Sequence, residues 1–193
     1  DNAENILDLC AGPGGKAALI SHLARRNGKK FFANEISEPR AALVKKVIGS
    51  FPVIVGDGRD IASQPVRFDA ILADVPCTGL GALRRRPEVR WRRTLQDLRA
   101  LTELQRELSD AAISVLNDGG IFGYATCSPH FAETSAQVQM ILKNHPELEQ
   151  LDVAECMPSE LIGATRGPNF SLWTGRHETD SMFLAIFRKR VHA

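Results

Sequence analysis

The sequence predicts an α/β fold with a mostly parallel, doubly wound sheet, and three observations carry that expectation. Short apolar runs alternate with longer stretches of helical period through most of the chain. A glycine-rich turn, Gly12 to Gly15, follows the first apolar run. Two later runs end in loops that hold a cysteine, Asp74-Val75-Pro76-Cys77 and Ala125-Thr126-Cys127-Ser128-Pro129. In an open sheet of this kind, ligands and reactive groups gather beyond the carboxyl ends of the strands. The three loops are therefore expected to face one crevice.

Each element has its own local reason. Ile6 to Cys10 reads as a buried strand, and Gly14 to Arg26 as a helix with Leu19, Ile20 and Leu23 on one face. Lys30 to Glu35 is a second strand. Ser37 is placed to cap a helix through Ile48, with Pro39 tolerated in its first turn. Pro52 to Val55 and Phe68 to Asp74 form the next two strands. Thr94 to Leu116 carries Leu95, Leu98, Leu101, Leu104 and Leu108 at helical spacing and is expected to stop at Asn117-Asp118-Gly119-Gly120. Gly120 to Ala125 is a fifth strand, and Glu133 to Asn144 a helix. Leu148 to Val153 and Ser181 to Phe187 read as late strands, joined by a glycine- and proline-containing stretch from Met157 to Gly175.

Bulk properties bound the class. A chain of 193 residues makes one ordinary domain with a sizeable core. Its 24 basic and 23 acidic residues leave no global field of the kind that marks a nucleic-acid-binding protein. No apolar run approaches a membrane span and no signal-peptide pattern opens the sequence. The four cysteines form no CxxC pair and no metal-like spacing, so thiols in a reducing cytoplasm are expected, with no bound metal. Cys10 and Cys156 read as small core residues.

The first loop predicts an adenosine-containing cofactor. Gly12, Gly14 and Gly15 let backbone N–H groups approach a ligand, and the following helix offers its positive end. The loop matches neither the Walker pattern nor GxGxxG. Glu35, at the end of the second strand, can hold two ribose hydroxyls, and Asp57 after the third can accept from an adenine amino group. Lys16 suits an anionic partner such as a carboxylate.

Four stretches then carry a resemblance: D-L-C-A-G-P-G-G-K at 8–16, D-V-P-C-T-G-L-G at 74–81, R-R-P-E-V-R-W at 85–91 and Y-A-T-C-S at 124–128. They resemble the catalytic core of the Sun/Fmu (Nol/Nop/Sun) family of RNA cytosine methyltransferases, over Asn5 to Lys189. A weaker match is T-D-S-M-F-L-A at 179–185, where the family often has glycine at the position of Ser181. Ala17 stands where the family usually has threonine. The resemblance implies a Rossmann-like methyltransferase fold with a seven-stranded, mostly parallel sheet and an antiparallel C-terminal strand. It implies S-adenosylmethionine as cofactor, leaving as S-adenosylhomocysteine, and RNA as partner, a bacterial 16S ribosomal RNA being the family's common substrate. Residues 1–193 are then one catalytic domain, expected to act as a monomer without the family's N-terminal RNA-binding extension. The cofactor residues carried over are Cys10, Ala11, Gly12, Pro13, Gly14, Gly15 and Lys16, with Glu35, Arg40, Asp57, Gly58 and Asp74.

The chemistry asks for a thiol and a carboxyl group. Carbon 5 of cytosine becomes nucleophilic only after a thiolate adds at carbon 6. Asp74 is suited to hydrogen-bond the ring as charge builds. By resemblance, Cys127 is the nucleophile and Cys77 assists breakdown of the adduct. The residues alone leave the two thiols open, and in the related DNA enzymes the nucleophile belongs to the Pro-Cys motif.

The segment Arg84 to Arg93 holds six arginines against one glutamate. Arg84, Arg85, Arg86 and Arg90 are expected to meet RNA phosphates, and Trp91 to stack on a base or anchor the loop. Two other classes compete with this reading. One is a cofactor-binding RNA-interaction module that does not turn over. The other is a nicotinamide-dependent oxidoreductase, against which the missing GxGxxG and the two loop thiols weigh.

Overall fold

The structure, a computed structural model, describes residues 3–191, without the side chains of 159, 160 and 162. Nine strands hydrogen-bond in the order β3 (Val53–Val55), β2 (Lys30–Glu35), β1 (Asn5–Asp8), β4 (Phe68–Asp74), β5 (Leu116–Thr126), β9 (Met182–Lys189), β8 (Asn169–Leu172) and β7 (Thr165–Arg166), with β6 (Leu148–Leu151) beside β9. The mostly parallel sheet with antiparallel C-terminal strands is the architecture expected. Two short strands more than the expected seven come from the stretch before β9. There Thr165–Arg166 (β7) and Asn169–Leu172 (β8) pair antiparallel around Gly167 at φ 56°, and β8 pairs antiparallel with Met182–Lys189 (β9).

The chain forms two compact units. The first runs to Asp74 and includes Leu108–Phe122 and the segment from Lys189. Its centre is Asn5–Asp8 (β1), flanked in parallel by Lys30–Glu35 (β2) and Phe68–Asp74 (β4), with Val53–Val55 (β3) outside β2. Helices Gly15–Arg26 (α1) and Glu38–Ile48 (α2) bury Ala17, Ala24, Val44 and Ile48 against Phe31 and Ala33 of β2. Gly14 sits at φ 119°, a conformation a side chain resists, and a Cβ there meets Val47 Cγ2 at 2.9 Å. Ser37 occupies the N-cap position of α2 as expected, but its side chain makes no cap bond; its N–H donates to Glu35 instead.

The second unit holds Val75–Glu107 and Gly123–Arg188. Helix α4 (Leu95–Ser114), preceded by the short α3 (Val89–Arg92), starts with a reciprocal cap. Thr94 N–H and hydroxyl each donate to Asp97 Oδ2 at 2.8 Å, and Asp97 N–H donates back to Thr94 Oγ1 at 3.2 Å. Ser135–Asn144 (α5), Leu148–Leu151 (β6) and Thr174–His177 (α6) complete the set.

The expected helix stop at Asn117 to Gly120 is misplaced. The helix ends at Ser114, and β5 runs Leu116–Thr126 through those residues. The reason is pairing. Val115 accepts from the Phe68 N–H, Asn117 donates to Asp69 Oδ1 at 2.7 Å, and Gly119 bends the strand at φ 76°. Among the described residues, no helix is long and apolar enough to cross a membrane.

Candidate functional site

The glycine loop leaves β1 at Asp8 and is tied to the ends of its neighbours. Ala11 N–H donates to the Asn34 carbonyl at 2.9 Å, and the buried Asn34 amide donates to the Leu9 and Gly56 carbonyls at 3.1 and 3.2 Å. One side chain thereby ties the two loops after β1 and β3 to the end of β2, which sequence reasoning missed because an Asn at a strand end carries no motif. Glu35 closes on the loop. Its Oε2 accepts from Gly12 N–H at 3.0 Å, while Oε1 takes the Ser37 N–H at 2.8 Å and the Arg40 guanidinium at 2.7 Å. A Cβ at Gly12 falls 2.0 Å from Glu35 Oε2, so only glycine permits this closure. Glu35 is thus a buried hub of the loop, with Arg40 as its counter-charge.

The other predicted cofactor residues divide. Gly15 has open space where a Cβ would stand, leaving the start of α1 approachable. Gly58 instead is packed under Leu108 and Leu9, and its part is close packing. Asp57 is held by Arg59, through the backbone N–H at 2.9 Å and the guanidinium at 2.6 Å, contacts that keep its carboxyl below the usual range. Lys16 finds its carboxylate within the chain, bonding Asp74 Oδ2 at 2.6 Å. Burial, then the charge of Asp8, raises the Cys10 thiol, so Cys10 remains protonated as a small partly buried residue. Cys156, expected in the core, is exposed.

Asp8 was not singled out from the sequence. It is 1% exposed, and neither carboxyl oxygen has a hydrogen-bond partner among the described residues. Burial, and secondarily the charge of Asp74, pushes it up to about 7. An orphaned buried carboxyl beneath an open glycine turn suits a cofactor bearing hydrogen-bond donors. The loop residues therefore fit a nucleoside cofactor with a cationic or amino-bearing arm.

In the second unit, the Pro-Cys loop and the Thr-Cys-Ser loop are joined. Val75 N–H donates to the Ala125 carbonyl and Gly81 N–H to the Cys127 carbonyl, both at 2.9 Å. Ser181 N–H in turn donates to Gly81 O at 2.9 Å. A Cβ at Gly81 meets Ser181 O at 2.3 Å, so the second glycine of C-T-G-L-G is required for the approach. The result brings the two thiols together, with Cys77 Sγ and Cys127 Sγ 3.2 Å apart. That contact first, helped by Thr126 and the Gly79 amide against the cost of burial, lowers the Cys77 thiol to about 7.

Beneath the thiols lies a buried polar network that no motif announced. Glu133, 0% exposed, accepts from Thr78 N–H at 2.8 Å, Thr78 hydroxyl at 2.5 Å and the Gln105 amide at 3.0 Å. Gln105 also donates to the Pro76 carbonyl at 2.9 Å, and the Tyr124 hydroxyl donates to the Glu133 carbonyl at 2.8 Å. One carboxylate thus clamps the residue after Cys77 to the segment after Cys127. A glutamate six residues past Cys127 was the only available signal, and its burial was not legible in the sequence.

The arginines of the segment are exposed, and so is Trp91 at 77%, which removes the option of Trp91 as a core anchor. Arg84, Arg86 and Arg90 lie at the surface. Arg85 is already paired with Asp180 at 2.5 Å, and Arg93 donates to the Thr78 carbonyl at 3.2 Å.

With this geometry in place, the comparisons are specific. The family model described as "16S rRNA methyltransferase RsmB/F" matches residues 1–188. Rv1407 of Mycobacterium tuberculosis, a protein named only as a methyltransferase, is 48% identical over 185 residues, covering 95% of this chain and 40% of that protein. Ribosomal RNA small subunit methyltransferase B of Vibrio vulnificus is 34% identical over 197 residues, covering 98% of this chain and 43% of its own length. The crystal structure of NSun6 from Pyrococcus horikoshii with SFG superposes with a TM-score of 0.83 at 28% identity, covering 99% of this chain and 49% of that one. The chain therefore spans less than half the length of these curated relatives.

Proposed function

Since the chain belongs to the RsmB/F family of 16S rRNA methyltransferases, whose members depend on S-adenosylmethionine, we propose that it methylates carbon 5 of a cytosine in ribosomal RNA. The observation that carries the reading is the 3.2 Å approach of two thiols on neighbouring loops, one of them lowered to about 7. Against the dehydrogenase alternative stand the missing GxGxxG and the family match over residues 1–188.

The residues divide the work as follows. Cys127 passes its proton across the contact to Cys77, which releases it to water, and the Cys127 sulfur bonds carbon 6 of the ring. The displaced electron pair makes carbon 5 nucleophilic. Asp74 accepts a hydrogen bond from the exocyclic amino group and holds the ring as charge develops. When bound, S-adenosylmethionine supplies an electrophilic methyl group and leaves as S-adenosylhomocysteine. Cys77, ionised near neutrality, then takes the proton of carbon 5, and the Cys127 sulfur departs with the carbon 6 bonding pair. The Gly12 to Gly15 turn, Asp8 and the Glu35–Arg40 pair hold the cofactor. Arg84, Arg86 and Arg90 contact phosphates, and Arg85 orders the segment through Asp180.

The depressed Cys77 thiol also supports the reverse assignment, with Cys77 attacking. The test of the function itself is methyl transfer by the full-length parent protein. Ribosomal RNA from cells lacking the parent gene should accept labelled methyl groups, and bisulfite sequencing should find one protected cytosine. Transfer to another base, or to no RNA, overturns the reading.

A further inference from the structure

The second unit carries a cavity of about 240 Å³ that the proposed reaction does not use. Ser128 and Pro129, the two residues after Cys127, form part of its wall, so the cavity opens beside the loop of the proposed nucleophile. Phe131 and Trp173 also line it, yet they remain 62% and 38% exposed. Arg166, on the same wall, sets its guanidinium 5.5 Å from the centre of the Trp173 ring. Single exposed aromatics are ordinary on protein surfaces, but two turned toward one cavity, with a guanidinium plane over one of them, are not scattered.

We propose that this cavity seats one unpaired base of a single-stranded RNA, from a nucleotide next to the one being modified. This rests on the RNA substrate proposed above. Three properties select that occupant. Aromatic rings and arginine planes are the surfaces on which unstacked bases settle, whatever their identity. Arg166 adds the positive charge that a nucleotide's phosphate requires and that an apolar side chain of a protein partner does not. The volume lies below the roughly 300–1,000 Å³ typical of drug-sized ligands, as a site for a single base requires. Asn169 also lines the cavity; its Oδ1 accepts from the Gln150 amide at 2.7 Å, and its Nδ2 is the donor for a base edge. A base held here keeps the neighbouring nucleotide out of its stack, as chemistry on a base demands.

The experiment uses the only two tryptophans, Trp91 and Trp173. In Trp91→Phe protein, Trp173 emission is followed during titration with a single-stranded RNA decamer containing one cytosine. Binding of the labelled decamer is followed in parallel by anisotropy. Quenching of Trp173 with the same midpoint as the anisotropy change is expected. An abasic residue stepped along the decamer should remove the quenching at one position beside the cytosine and weaken binding about tenfold there. Phe131→Ala should weaken binding of the intact decamer by a similar factor and leave the abasic one unchanged, and Arg166→Gln provides a second variant with the same readout.

RNA binding without quenching, or equal losses on both decamers, overturns the base site while leaving the proposed methyltransferase reaction standing. Emission that responds to protein concentration and not to RNA reveals a contact between copies of the chain and also overturns it. No anisotropy change with any decamer overturns the base site and the RNA substrate together. Retained S-adenosylmethionine affinity, measured by calorimetry, then shows that the cofactor part of the reading survives.

Discussion

Cys77 and Cys127 lie 50 positions apart in the chain, yet their Sγ atoms come within 3.2 Å, and this contact is the first cause of the lowered Cys77 thiol. A thiolate at Cys77 is stabilised by a thiol donor at Cys127. Alkylation of Cys77 by iodoacetamide, localised by peptide mass spectrometry, should therefore rise with pH around a midpoint of about 7. In Cys127→Ala the midpoint should move up toward the ordinary thiol range. An unmoved midpoint sinks the claim that the pair shares its proton.

The same pair separates the two roles proposed for it. Cys127→Ser should form no covalent RNA adduct and transfer no methyl group, because a hydroxyl is far less ionised and nucleophilic than a thiol. Cys77→Ser should still attack and release slowly, accumulating an adduct that survives denaturing electrophoresis. The full-length parent protein is the material for this comparison. The opposite pattern moves the nucleophile to the Pro-Cys loop.

Glu133 joins the two cysteine loops from below through Thr78 and Gln105. Glu133→Ala removes the acceptor of the Thr78 N–H and one acceptor each from the Thr78 hydroxyl and the Gln105 amide, and should cost about 2 kcal/mol of stability. Glu133→Gln retains the shape and should cost less than half of that. The Glu133 charge itself raises the Cys77 thiol, so Glu133→Gln should move the Cys77 alkylation profile down, and an upward shift in the alanine variant then reports lost positioning of the thiols. Denaturant unfolding and the thiol profile, measured on the same samples, check both claims; a destabilised variant with an unchanged profile leaves Glu133 a purely structural residue.

Glu35→Ala is expected to affect two properties. Gly12 N–H, Ser37 N–H and Arg40 all lose their acceptor, so stability should fall by about 1–3 kcal/mol. S-adenosylmethionine affinity should fall by a similar amount, through loss of the loop's closure and of a ribose acceptor. Calorimetric affinity equal to that of the unmodified protein contradicts the assignment of this loop.

Asp8 predicts a pH dependence whose sign is opposite to that of a salt-bridged carboxylate. Its folded value, about 7, lies above the ordinary 3.8, so the native state holds a proton that the unfolded chain has lost in that window. Asp8 therefore contributes stability that is present below about pH 4 and is lost as pH rises to about 7. The full difference approaches about 4 kcal/mol. Asp8→Asn should cancel it, gaining stability relative to the unmodified protein between pH 5 and pH 8. Parallel urea curves for the two proteins across that range, with no change in their difference, would refute the buried unpaired carboxyl.

Local rules were enough for the order of strands β1 to β5 and helices α1, α2, α4 and α5. Strands β2 and β4 fall on the residues their apolar patterns marked, because each is a short apolar run that ends at an acidic residue. The glycine turn and the two cysteine loops were legible for the same reason, since each needs residue types that few other backbones tolerate. The hairpin of β7 and β8 was not legible. Its strands of two and four residues exist only because β9 offers them an edge, and so short a segment carries no period. The helix stop before β5 failed likewise, when pairing with β4 outweighed a local Asn-Asp-Gly-Gly signal.

At the site, the residue types followed from the chain order, while their partners did not. The sequence marks Cys77, Cys127 and Glu35 at or just beyond strand ends, and Lys16 in the first turn of the helix after the glycine loop, as candidate reactive or charged groups. That Cys77 touches Cys127, that Glu35 is closed on Gly12, that Lys16 holds Asp74 and that Asp8 is left without a partner depend on non-local geometry. Hydrogen bonds and ionisation are set by distances of a few ångströms and by exclusion of water. Residues 50 positions apart acquire such distances only when the strands carrying them are packed side by side.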